Sequence, residues 1–327
     1  MKYAFSIIVP VYNRPEEMHE FMASLAKQTD RDFEVVIMEG TCERTCRLIC
    51  EAYSNRLDVQ FYERNTGRSA RRNEGMQLAK GNYFILFDSD VIVPPTYIAS
   101  LRKSLKQEYV DCFGGPDSAD SSFTTTQLAV NYAMTSMMTT GGIRGKMKNV
   151  YNYKPRAFNM GFSREVFETT QGYLDMIGED VDLSMRISEA GFKVKLIKEA
   201  VVFHKRRVSI PQFVRQVNTF GKARILLSSI HKGSFRIMHA FPSCFVLGNL
   251  GLVVLSLVLM NWYFMIPLMI YCVALFFESL VKNKRLSVAL LSVVTSYGQL
   301  FGYGIGFLDE FLTRRASKKN AEQLYRQ

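Results

Sequence analysis

The sequence predicts an α/β protein with a mostly parallel sheet, followed by C-terminal transmembrane helices. Three observations lead there. Short apolar runs alternate with helical stretches from residue 3 to residue 116, the pattern of strands joined by right-handed crossovers. Residues 237–308 are almost free of charge, whereas everything before them is a mixed polar and apolar sequence. The chain is 48% hydrophobic and 22% charged over 327 residues, which excludes a disordered protein and leaves room for a sizeable core.

The elements follow in order. YAFSIIVPVYN (3–13) has the apolar density of a buried strand, and RPEEMHEFMASLAKQ (14–28) reads as a helix with Pro15 and acidic residues in its first turn. FEVVIMEG (33–40) and LDVQFYERN (57–65) are strands, with helices at 43–55 and 69–81 between and after them. YFILFDSD (83–90) is a fourth strand that ends in two aspartates one residue apart, and Pro94 and Pro95 follow. A helix over 96–107 and a strand over 110–116 continue the alternation. From 117 to 157 Ser, Thr, Met and Gly dominate, the composition of a mobile, substrate-shaping region. Order returns over 158–173, in the helix-to-strand stretch GEDVDLSMRISEAGFKVKLI (178–197), and in VVFH (201–204). The expected division is a sheet domain over 1–225, a linker over 226–236, a membrane domain over 237–308 and a basic tail over 309–327.

Residues 237–259 and 263–281 are each long enough as helices to cross a hydrocarbon core of about 30 Å, with a turn near Asn261 and Trp262. KNKR (282–285) places that end of the hairpin, and the N-terminal domain with it, on the cytoplasmic side of an inner membrane. A third segment, 286–308, is rich in Gly and carries Gln299. If it spans, the basic tail lies outside against the charge rule, so spanning, re-entrant and interfacial arrangements all stay open. The net charge of +11 invites nucleic acid, an anionic leaflet or a phosphorylated substrate, and the absence of any nucleic-acid module disfavours the first. Six scattered cysteines form no disulfide framework; Cys42, Cys46 and Cys50 mark one helical stripe of small residues, not a metal set. The opening MKYAFSIIVP is too short a run to be a secretory signal.

Three constellations carry chemistry. Asp88-Ser89-Asp90 stands at a carboxyl strand end, where ligands bind in open α/β sheets, and two such carboxylates suit a hard divalent cation, Mg²⁺ or Mn²⁺. Alone, the pattern is more often an Asx turn; Arg64, Arg68, Arg71 and Arg72 just upstream, in a strand-to-helix turn suited to phosphate, shift the reading to a site. Glu179, Asp180 and Asp182 open a helix. A cap explains one or two of them, and a general base needs a carboxylate aimed at a hydroxyl. PQFVRQVNTFGKAR (211–224) is a basic amphipathic stretch ahead of the membrane segments, and its basic residues, with 205–207, favour anionic lipid. His204 offers a third metal ligand.

SIIVPVYNR, NTGRSARRNEG, FILFDSD, the GG after the next strand, GFSREVF…GY, GEDVDLSMRISEAGFKV and the later FH stand in one order, and over residues 4–225 the chain resembles the family 2 glycosyltransferases of the Rossmann-like GT-A fold. The resemblance implies transfer of one sugar from a nucleotide diphosphate donor to a hydroxyl, with inversion. It assigns Asp88 and Asp90 to metal and diphosphate with Ser89 between them, Pro10 and Tyr12 to the nucleotide-binding first loop, Arg72 to the diphosphate, and Asp180 to the base with Glu179 beside it. The second strand ends in Glu39-Gly40 where the family carries an aspartate pair, so Glu39 takes the base and ribose position. The processive members' Gln-x-x-Arg-Trp is present only as Gln212 and Arg215, with Gln216 in place of Trp, which argues against a polymer-extruding synthase. Topology and charge point to a lipid-linked acceptor at the membrane. The competing class is a non-catalytic membrane protein that keeps a nucleotide-sugar fold for binding or assembly.

Overall fold

The apolar runs form strands where their pattern predicts them. In the computed structural model, which describes residues 4–41, 44–118, 123–140, 154–204 and 209–324, β1 (Phe5–Val11), β2 (Phe33–Glu39) and β4 (Tyr83–Phe87) are buried at every position. Strands covered on both faces read as continuous apolar runs, which is why they carry no polar alternation. β3 (Asp58–Glu63), β6 (Cys112–Gly114), β8 (Asn159–Ser163) and β9 (Val194–Leu196) complete a seven-stranded sheet in the order β3-β2-β1-β4-β8-β6-β9. Its ladders are parallel except the two made by β8, which runs antiparallel to both β4 and β6.

Alternate residues of each strand feed opposite layers. Ile7, Val9, Ile37 and Ile85 pack against α1 (Pro15–Leu25), α2 (Arg44–Tyr53) and α4 (Tyr97–Gln107) through Phe21, Cys46, Cys50 and Leu101. Ile8, Val36, Phe84 and Leu86 face α3 (Arg68–Leu78), α7 (Arg164–Thr170) and α8 (Glu179–Glu189) through Met76, Phe167, Leu183 and Ile187. Cys46 and Cys50 are thus core residues, and burial pushes the Cys50 thiol up to about 12. Cys42 lies outside the described residues. A second, three-stranded sheet of β5 (Val91–Ile92), β7 (Asp117–Ser118) and β10 (Val202–His204) follows the Asp88-Ser89-Asp90 turn.

Contacts divide the chain into two units, and the division is not linear. The first is Met1–Asp120 with Lys148–Lys205; the second is Ser121–Met147 with Arg206–Gln327. The second unit contains α5 (Thr125–Thr135) and α6 (Met137–Thr140), so part of the stretch expected to lack regular structure is helical. A capping box of Thr124 and Gln127 starts α5, and Val130, Ala133 and Met134 give it an apolar face that Tyr132, Asn131 and Thr135 obscure in the sequence. Residues 119–122 and 141–153 of that stretch lie outside the described residues.

The basic amphipathic stretch belongs to α9 (Ile210–Ile230), whose Phe213 and Val217 meet the apolar face of α5. Lys205, Arg206 and Arg207 lie outside the described residues. Among the described residues three helices are long and apolar enough to cross a membrane: α10 (Phe241–Val258), the stretch Trp262–Asn283 that includes α11 (Ile266–Asn283), and the Leu286–Arg315 part of α12 (Leu286–Leu324). The third hydrophobic segment is therefore one unbroken helix with no re-entrant break. Its glycines serve packing: a Cβ on Gly306 would lie 2.1 Å from the Asn218 carbonyl oxygen of α9, and Asn218 donates to the Gly302 carbonyl at 3.1 Å. Polar groups bind the unit as well, since Tyr132 and Ser136 both donate to Glu278 Oε2 at 2.7 Å and Thr295 to the Ala129 carbonyl at 2.9 Å.

Candidate functional site

Strand order fixes where a ligand crevice forms. The chain passes from β1 to β2 and β3 on one side, then β4 pairs on the other side of β1, so the carboxyl ends of β1 and β4 flank a topological switch point. Pro10 lies at the end of β1 and Tyr12 just after it, Glu39 ends β2, and Asp88 follows β4. The adjacent turn into α3 supplies Arg68, Arg71 and Arg72.

Arg72 is the hub. Its side chain is wholly buried, and its Nη2 donates to Asp88 Oδ1 at 2.6 Å while its Nη1 donates to Glu179 Oε1 at 3.1 Å. The guanidinium carbon lies 5.0 Å from the centre of the Tyr173 ring. Burial by itself would lower the Arg72 pKa, but Asp88, then Tyr173 and Glu179, hold it above the usual arginine range. One planar fork thus joins the tip of β4 to the first turn of α8, two segments separated by more than ninety positions in the sequence. Glu179 also accepts from Arg68 Nη2 at 2.9 Å.

Asp90 has its own arginine. Arg14 Nη1 stands 3.9 Å from Asp90 Oδ2 and 2.7 Å from Glu17 Oε2, and Ser89 donates to the same Glu17 oxygen at 3.5 Å. The hydrogen bond to Glu17, working against burial, and then the charges of Asp90 and Asp88 raise Arg14 above its usual value. Among the described residues no group of three or more His, Cys, Asp and Glu gathers to hold a metal. Asp88 and Asp90 nonetheless fit a hard divalent cation, because their side chains are 27% and 13% exposed and such ions take one or two carboxylates and fill the rest with phosphate and water. The backbone of His204 pairs with Val91, next to Asp90 in sequence; its side chain lies outside the described residues.

Glu39 shapes the two loops that flank the crevice. Its Oε1 accepts from Asn13 N at 3.1 Å, from Thr41 N at 3.0 Å and from Thr41 Oγ1 at 2.9 Å. The first of these holds Asn13 at φ 48°, a left-handed conformation that asparagine tolerates better than most residues. Glu39 Oε2 is buried without a hydrogen-bond partner. Gly40, where the family has a second acid, is required by Arg71: a Cβ there would sit 1.6 Å from Arg71 Nη1, which donates to the Val11 carbonyl at 2.6 Å. Tyr12 is 61% exposed and lies over the Arg71 guanidinium, 5.5 Å from ring centre to carbon.

The acidic triplet separates into three jobs. Asp182 is buried and pairs at 2.8 Å with Arg186, which also donates to the Thr170 and Gly172 carbonyls at 2.6 Å, so it locks the loop between α7 and α8. Glu179 belongs to the Arg72 hub. Asp180 keeps a side chain 21% exposed, takes the Val181 N–H on Oδ1 at 2.8 Å, and has Arg156 Nη1 3.6 Å from Oδ2. Gln212 and Arg215 lie on α9 in the second unit. The structure therefore brings Asp88 and Glu179 together through one arginine and lines Pro10, Tyr12 and Glu39 along the same strand ends. Sequence reasoning missed Arg14, Glu17 and Arg156. Arg14 was signalled by its place at the exit of the first strand; nothing local marks Arg156, whose partner is in another element.

Comparisons with known proteins identify the family and the fold. The model of "Glycosyl transferase family 2" matches residues 6–170. Glycosyltransferase GlyG of Streptococcus pneumoniae is 28% identical over 130 residues, 38% of this chain and 43% of that protein. A Methanococcus voltae protein named dolichyl N-acetyl-alpha-D-glucosaminyl phosphate 3-beta-D-2,3-diacetamido-2,3-dideoxy-beta-D-glucuronosyltransferase is 22% identical over 319 residues, 91% of this chain and 95% of that one. The matches span 43%, 34% and 60% of the length of the first three curated relatives. Among solved structures, mannosyltransferase PcManGT from Pyrobaculum calidifontis, in complex with GDP-Man and Mn²⁺, superposes with a TM-score of 0.59 at 16% identity, covering 94% of this chain and 88% of that one. With its model matched over half of the residues, the chain belongs to glycosyl transferase family 2.

Proposed function

We propose that the protein transfers one sugar from a nucleoside diphosphate sugar to a hydroxyl of a lipid-linked acceptor, with inversion, from a multi-pass anchor in the cytoplasmic membrane whose catalytic domain faces the cytoplasm. The observation that carries the reading is the Arg72 fork: it ties Asp88, one of two carboxylates suited to a diphosphate-bound cation, to Glu179 at an acidic helix start suited to an incoming hydroxyl. A dead binding fold has no need of that coupling. The PcManGT complex with GDP-Man and Mn²⁺, and the dolichyl phosphate in the M. voltae relative's name, support the donor, cation and acceptor classes.

The residues divide the work. Asp88 and Asp90 would hold Mn²⁺ or Mg²⁺, and that ion, when bound, supplies positive charge against the departing diphosphate. Arg68, exposed at the mouth, presents guanidinium donors to the diphosphate, and Arg72 adds its buried charge behind Asp88. Tyr12 offers a ring on which a nucleobase can stack, and Glu39 Oε2 offers a buried acceptor for a base or ribose donor group. Asp180 takes the proton of the acceptor hydroxyl as its oxygen attacks the anomeric carbon from the face opposite the leaving group, and that direct displacement inverts the centre. Ser89 and Glu179 position their neighbours. Gln212 and Arg215 serve the acceptor or product side.

The test is a panel of nucleotide sugars with Mn²⁺ and membrane lipid extract, scored for nucleoside diphosphate release, on wild type and Asp180→Asn. We expect one donor to be used, and the variant to lose about 10² to 10⁴ in turnover with donor binding unchanged. A loss of only a few fold removes Asp180 from the base role, and no release from any donor removes the transferase reading.

A further inference from the structure

We propose that Arg156 is the acceptor's anion-binding residue, holding a phosphate that the acceptor carries one pyranose ring away from the reacting hydroxyl. This rests on the reading of Asp180 as the base. Arg156 sits in the turn before β8, and its backbone is pinned from both sides. Ser184 of α8 donates to the Pro155 carbonyl at 2.9 Å, and Asn159 N donates to the Arg156 carbonyl at 2.9 Å, with Ala157 buried just after it. The turn is thereby tied to the same helix whose first turn carries Asp180.

The side chain is treated differently from its backbone. Among the described residues the Arg156 guanidinium makes no hydrogen bond, and the one carboxylate it meets is Asp180, at 3.6 Å, with 31% of the side chain exposed. Two arginines that serve the fold are far more engaged: Arg186 bonds Asp182 and two carbonyls, and Arg164 bonds the Ala79 and Gly81 carbonyls at 2.7 and 2.8 Å. Five N–H donors in a planar fork, fixed at their base and uncommitted at their tip, match a phosphate. The neighbour decides which phosphate. A hydroxyl delivered to Asp180 belongs to the acceptor, so an anion within an arginine's swing of Asp180 belongs to the acceptor as well. The shared chemistry is a sugar bearing an anomeric phosphate or diphosphate, of which a lipid-linked sugar is one source and a free sugar 1-phosphate another.

Full-length protein in detergent, Arg156→Ala and Arg156→Lys would be assayed with the donor found above against hexose and N-acetylhexosamine acceptors in three forms: undecyl diphosphate-linked, free 1-phosphate, and neutral undecyl glycoside. We expect Arg156→Ala to raise KM for the phosphorylated acceptors at least tenfold, with kcat and donor KM within twofold, and to leave the neutral glycoside within twofold. Arg156→Lys should recover part of the loss. Use of the 1-phosphate assigns the anion to a soluble acceptor, and use of the diphosphate-linked form alone assigns it to a lipid-linked one. Equal losses on charged and neutral acceptors, or no loss on either, would overturn the role of Arg156 while leaving transfer intact. Release of nucleoside diphosphate by wild type with none of the three forms used would overturn it too. No release from any donor overturns the underlying transferase reading instead.

Discussion

Replacing Arg72 by methionine tests the central joint of the site. The substitution roughly keeps the volume of the buried stem but deletes the charge between Asp88 and Glu179, whose oxygens lie 2.6 and 3.1 Å from it. Removing one partner of a buried ion pair costs about 3–5 kcal/mol, because the other is left charged and desolvated. The cost is unequally shared here. Asp88 is 27% exposed and recovers water, whereas Glu179, at 10%, keeps only Arg68, itself 55% exposed, so the lower end of the range applies, about 3 kcal/mol. For a unit the size of Met1–Asp120 with Lys148–Lys205, roughly 3 °C per kcal/mol gives a fall of about 9 °C in unfolding midpoint. The assay is thermal unfolding in detergent of Arg72→Met, Glu179→Gln and the double variant. Since the first leaves a stranded carboxylate and the second removes it, the double variant should be more stable than the sum of the two, by about 1–2 kcal/mol of coupling. An Arg72→Met midpoint within 1–2 °C of wild type, or simple additivity, refutes the hub.

Three further outcomes follow from other parts of the molecule. Asp90→Asn should abolish the gain in donor binding that Mn²⁺ gives wild type, measured by titration calorimetry with and without the ion; an undiminished gain would place the cation elsewhere. Asp30 is raised by burial but lowered more by Arg102, 2.6 Å away, and by the Asp32 N–H, so its folded value lies below the usual carboxylate range. Its contribution to stability is therefore full above about pH 4 and disappears as pH falls through the lowered folded value, so the midpoint gap between wild type and Asp30→Asn should close on acidification, and a gap constant from pH 7 to pH 3 refutes the pair. Gly306→Val should cost at least about 1–3 kcal/mol of stability in detergent by forcing α9 and α12 apart at Asn218, and an unchanged midpoint would deny that contact.

Most of the sheet was legible because strands buried on both faces need unbroken apolar runs, and Ile7 to Val11, Val35 to Met38 and Phe84 to Phe87 supply them. The reversal of β8 was not, because direction is set by the long excursion that precedes it and leaves no mark within NMGFS. α5 was hidden for a different reason: Thr, Gln, Asn and Tyr occupy positions around its apolar face, and their partners, Glu278 above all, come from a distant segment. In the site, Asp88, Arg72 and Asp180 could be found from short motifs. The pairing of Arg72 with Glu179, the diversion of Asp182 to Arg186, and the approach of Arg156 to Asp180 arise only when α3, α8 and the turn before β8 meet, which no spacing encodes.

The excursion of residues 121–147 into the second unit bears on how the protein can be cut. A fragment ending at Lys205 would lose the hydrophobic helices yet still contain α5, now without α9, α11 and α12. Val130, Ala133 and Met134 would lose the cover of Phe213 and Val217, while Tyr132 and Ser136 would lose Glu278. Such a fragment carries a sticky, half-folded helix and invites precipitation. A version without the hydrophobic helices calls for two operations, ending the chain near Lys205 and also replacing the internal piece that carries α5 with a polar linker. The same geometry means that exchanging C-terminal helices between relatives without exchanging this internal piece would break a matched set, so the two stretches are best regarded as one cassette.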